Sequence, residues 1–374
     1  MQILLVTQEY PPYGSGIADA VYRLQTELLK ADVRVDILFP HAGGMSVSDA
    51  FLKLNGLAGK IPFWQQITEK IYRKAGEYDA VWLHSPLMFN AKKLGIVKKL
   101  IVTFHSTYFG FSKAFRTHGI GRLVPYYSLA SNIESHFLRE ISSFRNTILT
   151  TVSPSVAEET QENGFLKVPI VVTNGITQES FLTVDREKAR SVLLNEFSVR
   201  IPKNELVLLY SGRITEVKQP LLLIDLMRSI SSFRQDVHLL IAGSGNLLSK
   251  SKRKASEFGN VHFLGQLPHQ KISIIQSIAD AFISLSCYEG LSLSVLESSY
   301  FGIPLILSDI PAHSWIIGKR IGHGILVDSN SPSPRKILEF LERLDGRRVY
   351  PPTSLLSLFS WKSAAENYLK VLNA

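Results

Sequence analysis

The chain has 374 residues, 45% of them hydrophobic, which is enough for two core-bearing domains rather than one. Its single cysteine, Cys287, excludes an intramolecular disulfide framework and a cysteine-based zinc site, and fits a reducing compartment. The formal net charge is +9, and no apolar stretch approaches the roughly 20 residues of a membrane span.

From the N-terminus, Met1-Gln-Ile-Leu-Leu-Val-Thr lacks a basic start followed by a long apolar core, so it reads as a first strand and not as a signal peptide. Strands are predicted at 3–6, 33–39, 80–83, 100–104, 147–152 and 170–173. Ala18, Val21, Tyr22, Leu24, Leu28 and Leu29 recur at a helical period and predict a helix over 18–30. A polar, charged stretch from Asp185 to Arg200, then Pro202, precedes a second set of strands predicted at 206–210, 237–242, 261–264, 281–285, 304–307 and 324–327. The tail from Phe359 is amphipathic and opens with Ser360 as a helix N-cap.

Continuous Val, Ile and Leu strands between helices mean parallel sheets covered on both faces. Two such sets predict an α/β protein of two doubly wound, Rossmann-like domains, with a boundary near Asn174-Gly175-Ile176. Ligands of such folds sit at the carboxyl ends of strands, so a site is expected in a central cleft between the domains.

The charge is unevenly placed. No acidic residue lies between Asp79 and Glu134, whereas Lys92, Lys93, Lys98, Lys99, Lys113, Arg116 and Arg122 do, among many aromatic side chains. Such a stretch suits an anionic membrane surface, a lipid-phosphate acceptor or nucleic acid, or it is a solvated face over ordinary core aromatics. Nucleic acid ranks well below a membrane, because no nucleic-acid motif accompanies the patch.

Several strand ends carry chemistry. After the 281–285 strand comes Glu289-Gly-Leu-Ser-Leu-Ser-Val-Leu-Glu297. The residues after Gly290 read as the first turn of a helix, whose free N–H groups and dipole suit a phosphate. Glu297, a little over two turns along, can share a face with that start, unless the pair merely sits on a solvated helix. Ser211-Gly-Arg213 and Lys218 follow the 206–210 strand: the arginine can grip phosphate with two N–H groups and the lysine can add a point charge. Gly243 and Gly245 follow the 237–242 strand, either near a nucleotide or in a plain tight turn. Gly14 and Gly16 follow the first strand, as a structural turn or as an anion or sugar cradle. His84 and His105 close two further strands, where each is either structural or a ligand contact. No DxD triplet or cluster of His, Cys and carboxylates predicts a metal site, so the Arg213 and Lys218 pair is expected to do the work of a metal ion. Walker, Gly-x-Ser-x-Gly and kinase signatures are missing, which leaves hydrolase and phosphotransferase readings without support.

Taken in order, Ser-Gly-Arg213, Lys218, Ala-Gly-Ser-Gly245, Val261-His-Phe-Leu-Gly265, Glu289-Gly, Glu297, Phe301-Gly-Ile-Pro304 and Phe359-Ser-Trp361 match the pattern of one family. The chain resembles the retaining, nucleotide-sugar-dependent glycosyltransferases of the GT-B fold, family four or "group 1". The resemblance implies an acceptor-side domain over 1–178 joined by a returning helix at 359–374, and a nucleotide-sugar domain over 179–358. It implies that Arg213 and Lys218 bind the donor diphosphate, that Glu289 contacts sugar hydroxyls, and that the backbone of Gly290, Leu291, Ser292 and Leu293 meets the phosphates. Glu297 would hold the ribose, Gly243, Gly245, Gln266 and Leu267 would border the base, and Gly16 would approach the donor phosphate or the acceptor. His105 would lie near the reacting carbon, with Gly14, Tyr108, Lys113 and Arg116 on the acceptor side. The leaving diphosphate would act as base without a covalent enzyme intermediate. Two positions depart from the pattern: Ser292 where glycine is common, and Ser314-Trp315 where many relatives carry a glutamate.

The function implied is transfer of a hexosyl-type sugar from a UDP- or GDP-sugar to a glycan or lipid-linked acceptor, with no metal or other cofactor. The expected location is the cytoplasm, with a peripheral seat on the inner face of the membrane as an option. The rivals are an epimerase or hydrolase acting on nucleotide sugars, and a non-catalytic relative that only binds them.

Overall fold

In the computed structural model, which describes residues 1–11, 16–39, 57–176, 184–344, 346–351 and 357–374, the apolar runs form two parallel sheets. The chain divides into one unit of Met1–Gly175 with Leu358–Ala374 and a second of Ile176–Ser357.

In the first unit the strands are β1 (Gln2–Val6), β2 (Arg34–Leu38), β3 (Ala80–His84), β4 (Leu100–Phe104), β5 (Thr147–Thr151) and β6 (Ile170–Val171), in the order β2-β1-β3-β4-β5-β6. Every residue of β3 and β4 is buried, as central strands covered on both faces require. The helices are α1 (Gly16–Lys30), α2 (Leu57–Lys74), α3 (Tyr108–Thr117), α4 (Val124–Ser142) and α5 (Pro154–Glu162). The predicted strand at 170–173 shrinks to two exposed residues at the sheet edge.

The second unit opens with α6 (Arg186–Phe197), then β7 (Leu206–Ser211), α7 (Pro220–Ser231), β8 (Val237–Ala242), α8 (Leu248–Ala255), β9 (Val261–Gly265) and α9 (His269–Ile278). It continues with β10 (Ala281–Ser284), α10 (Leu293–Tyr300), β11 (Leu305–Ser308), α11 (Pro311–Gly318), β12 (Gly324–Val327) and α12 (Pro334–Leu344). The strand order is β12-β11-β10-β7-β8-β9, so the winding direction reverses between β7 and β10. Helix α6 fills the stretch that composition marked only as charged. Asp185 caps it by accepting from the Lys188 N–H at 2.7 Å, and among its residues only Ala189 and Leu193 are buried, too narrow a stripe to announce itself.

The chain ends in α13 (Trp361–Asn373), capped by Ser360, whose hydroxyl accepts from the Ser363 N–H at 3.0 Å. Trp361, Ala364, Ala365, Tyr368, Val371 and Leu372 recur at helical spacing and share a core with Ile3, Leu5, Val21, Leu24 and Trp82 of the first unit. Tyr368 lies 4.3 Å from Trp82, ring centre to ring centre. Each fully buried aliphatic or aromatic side chain in such a core contributes about 1.5–3 kcal/mol. The last helix thereby returns to the first unit, after its chain has left for the second.

Candidate functional site

In a doubly wound sheet, the loops at the carboxyl ends of the two strands flanking the reversal splay apart and leave room for a ligand. In the second unit those strands are β7 and β10. The loop after β7 holds Arg213 and Lys218, and the loop after β10 holds Glu289. Backbone bonds stitch the two loops together: Cys287 N–H donates to Val217 C=O at 2.8 Å. Gln219, with left-handed backbone at φ 49°, donates its amide to Leu285 C=O (2.8 Å) and Ser329 C=O (2.9 Å), which ties the first loop to the segments after β10 and β12.

This scaffold pairs Lys218 Nζ with Glu289 Oε1, and Ser286 Oγ donates to the same oxygen at 2.8 Å. The side chains are 15% and 10% exposed. Burial pushes the Glu289 carboxyl up, but the Lys218 ammonium and the Ser286 hydroxyl outweigh it, and its pKa ends below the ordinary value. Glu289 is therefore a buried carboxylate that is charged at neutral pH. Arg213 is exposed, and no carboxylate pairs with it among the described residues. Its main-chain oxygen accepts from the buried Tyr210 hydroxyl at 2.6 Å, which fixes the loop beneath it. Burial raises the Cys287 thiol to about 12, so it is no nucleophile.

His313 escaped sequence reasoning. It lies on α11, fully buried, with Nδ1 3.0 Å from the Ser308 carbonyl oxygen. Burial drives its pKa down to about 4 despite Glu289, so the ring is neutral. The segment that departs from the family pattern at Ser314-Trp315 contained it, but a lone histidine there carries no signal of its own.

The helix beyond Glu289 begins later than the spacing suggested. Gly290, Leu291 and Ser292 are buried and non-helical; Ser292 is the extended N-cap, and α10 starts at Leu293. Ser292 Oγ meets Ser294 Oγ at 3.2 Å and does not cap the helix. Glu297 is thus the fifth residue of α10, not two turns into a helix begun at Gly290. His269 Nδ1, at the start of α9, lies 3.8 Å from its carboxylate, a neighbour that sequence reading also missed.

Gly243 has φ 143°, and a Cβ there would overlap the Gly212 carbonyl; one on Gly245 would overlap that of Ile214. Their missing side chains let the loop after β8 lie on the loop after β7, where Ile214 N–H donates to Ser244 C=O at 2.8 Å. Ser244 Oγ donates to Gln266 Oε1 at 3.1 Å, so the loops after β8 and β9 also meet; Gln266 is exposed and Leu267 half-buried.

In the first unit His84 ends β3 and His105 follows β4, which places both at carboxyl ends of neighbouring strands. His84 Nδ1 lies 3.0 Å from His105 Nε2. Burial lowers both pKa values, that of His105 to about 4, so both rings are neutral at pH 7. Gly16 is the exposed first residue of α1, while Gly14 lies outside the described residues. Tyr108 opens α3, and burial raises its phenol. Lys113 and Arg116 lie on exposed positions further along α3; Lys113 pairs with Glu162 at 3.4 Å and Arg116 donates to Ser128 Oγ at 2.8 Å.

The stretch that lacks acids in sequence does not lack them in space. Lys93 pairs with Glu69 and Lys98 with Asp79 (3.7 Å), and Glu159 accepts from the Thr107 hydroxyl. Glu134, 1% exposed, accepts from the Tyr108 and Phe109 N–H groups (3.1 and 3.2 Å) and from the Asn163 amide (2.9 Å). Burial lifts that carboxyl to about 8 against those donors.

Two doubly wound α/β units, the second with a cationic and acidic cluster at its reversal, define a protein of the GT-B class. The model for "Glycosyl transferases group 1" matches residues 193–344, and that for "Glycosyltransferase Family 4" matches residues 14–179. The chain has the two-domain GT-B glycosyltransferase fold. It is 34% identical over 121 residues to the O-antigen biosynthesis glycosyltransferase WbnH of Escherichia coli, covering 32% of this chain and 33% of that one. It is 26% identical over 166 residues to the UDP-Gal:alpha-D-GlcNAc-diphosphoundecaprenol alpha-1,3-galactosyltransferase of Escherichia coli, covering 43% and 41%. These matches therefore span between a third and less than half of the relatives' lengths. Sucrose-phosphate synthase from Thermosynechococcus elongatus shares the fold, with a TM-score of 0.77 and 18% identity over 100% of this chain and 98% of that one. Among the described residues no helix is long and apolar enough to cross a membrane.

Proposed function

We propose that this chain moves a sugar from a nucleoside-diphosphate sugar to an acceptor hydroxyl, retaining the anomeric configuration and using no metal or other cofactor. The observation that carries this reading is the Lys218–Glu289 pair at the β7/β10 reversal, with the exposed Arg213 on the same loop as Lys218. Two cations of different shape suit a diphosphate: the guanidinium binds two oxygens in a fork, and the ammonium supplies a mobile point charge. Charge building on the departing diphosphate would be met by groups already in place, the largest kind of contribution to group transfer.

Glu289, kept ionised, would accept from sugar hydroxyls, and Glu297 from the ribose. The loops carrying Gly243, Gly245, Gln266 and Leu267 would border the base, with Gly290, Leu291, Ser292 and Leu293 offering backbone to the phosphates. We assign His105 to the sugar, Gly16 to the donor phosphate or the acceptor, and Gly14, Tyr108, Lys113 and Arg116 to the acceptor. The names of the two Escherichia coli relatives support a glycan or lipid-linked acceptor, and one of them names a UDP-sugar donor. Contact with an anionic membrane through 92–122 is the weaker part of the proposal, because carboxylates from outside the stretch neutralise several of its lysines.

A thermal-shift panel of UDP, GDP, ADP and their common sugar conjugates tests the donor, since a ligand bound only by the native state raises the melting temperature. One nucleotide should give a clear shift that Glu297→Ala removes. No shift with any of them would sink the reading. Retention is tested separately, by comparing the anomeric proton coupling of the product with that of the donor.

A further inference from the structure

The rings of His84 and His105 lie 5.3 Å apart and 23° from parallel, and one hydrogen bond joins them. One nitrogen of that bond must donate and the other accept, so the tautomers of the two residues are linked. The surroundings of His84 decide which. Its ring is 1% exposed and stacks on Trp82 at 4.9 Å. Trp82 is itself fixed, by Tyr368 at 4.3 Å and by its indole N–H donating to Thr103 Oγ1 at 2.7 Å. The far nitrogen of His84, Nε2, is buried with no partner among the described residues.

If His105 donated from Nε2, His84 would have to carry its proton on Nε2, burying an N–H with no acceptor. If His84 donates from Nδ1, only a bare lone pair is left there, the less costly orphan. In that state His105 carries its proton on Nδ1. Among the described residues that nitrogen makes no hydrogen bond, the Glu9 carboxylate lies near enough to act on the ring by its charge, and His105 keeps 7% of its surface open.

We propose that His84 is a positioning residue that holds His105 in the Nδ1–H tautomer, so that His105 offers an N–H donor to the sugar. The proposal rests on the transferase reading for its substrate, but not for the tautomer.

The test uses the whole chain labelled with 15N-histidine. Long-range 1H–15N correlations report which nitrogen of His105 is protonated, with the resonance assigned by its loss in His105→Gln. Two substitutions separate hydrogen bonding from packing. His84→Asn keeps an amide N–H near the position of Nδ1 but loses the ring. His84→Phe keeps a ring on Trp82 but loses the donor. We expect Nδ1–H on His105 in the wild type and the Asn variant, and a mixture in the Phe variant. Donor-sugar turnover should fall ~10-fold in the Phe variant, the value of one ordinary hydrogen bond, and recover in the Asn variant. Binding of UDP or GDP should not change. An Nε2–H signal on wild-type His105, or a Phe variant at least as active as the Asn variant, overturns the proposal. If the wild type turns over no donor at all, the transferase reading falls and the three spectra alone decide the tautomer.

Discussion

Lys218 and Glu289, 71 positions apart, form a largely buried ion pair where the loops after β7 and β10 meet. Removing one member leaves the other's charge uncompensated, which costs about 3–5 kcal/mol. Lys218→Ala should therefore lose both stability and turnover. The double variant Lys218→Met with Glu289→Leu should recover most of the stability and none of the turnover. Urea denaturation beside a donor-turnover assay reads both. A double variant that keeps turnover would remove the pair from the chemistry.

Gly243→Ala should destabilise the second unit by about 2–3 kcal/mol, because it joins a backbone conformation strained for alanine to an overlap with the Gly212 carbonyl. The same change at Gly259, whose Cβ would meet nothing within 4 Å, is the control. Equal melting temperatures for the two variants would contradict the packing of the loop after β8 on the loop after β7.

Trp361→Ala should cost about 3–5 kcal/mol as a large-to-small change in the core. The loss should be confined to the first unit, since Trp361 packs with Ile3, Val21 and Trp82. Hydrogen exchange should rise in β1 and β3 and stay unchanged in β7 and β8. Loosening of both units together would contradict this placement.

His84, His105, His262 and His313 are all held neutral by burial, with pKa values below the ordinary 6.5 and near 4 for the last three. The unfolded chain takes up these protons first. Their contribution to stability is thus full above pH 6.5 and is lost as pH falls from 6.5 towards 4, each pKa unit being worth about 1.4 kcal/mol. Melting temperature should drop steeply through that window. Glu134 acts in the opposite sense: its raised pKa favours the fold below about 4.5 and is lost as pH climbs through about 8. Replacing Glu134 by Gln should accordingly flatten the curve between about pH 6.5 and 8 and steepen the fall between about 6.5 and 4.5, where Glu134 opposes the histidines. An acid side without a slope would mean that the histidines are not buried neutral.

Local features were readable wherever the pattern repeats within a few residues. The strands at 100–104, 237–242 and 324–327 fall where the apolar runs placed them, as does the Ser360 cap. Helix α6 was not readable, because Asp185 starts it while only two apolar residues mark its buried side. The helix expected directly after Gly290 starts at Leu293, because Ser292 takes extended backbone before the helical turn can begin. Ser286, His269 and His313 carry no signal in sequence; Ser286 matters through a carboxylate three residues on, and the two histidines through carboxylates on other elements.

By itself the sequence determined the alternation of strands and helices, the grouping into two parallel sheets, and the ordered set of Gly, Arg, Lys and Glu at strand ends. Those depend on short-range periodicity and on the backbone freedom of single residues. The tertiary structure alone decided which side chains meet: Lys218 with Glu289, His84 with His105, and Glu134 with the start of α3. Such contacts join segments from 21 to 71 residues apart, and they follow from strand order and loop stitching, which no local pattern encodes. Folding also brings Glu69, Asp79 and Glu162 onto three lysines of a stretch that has no acid of its own, which charge read along the chain does not reveal.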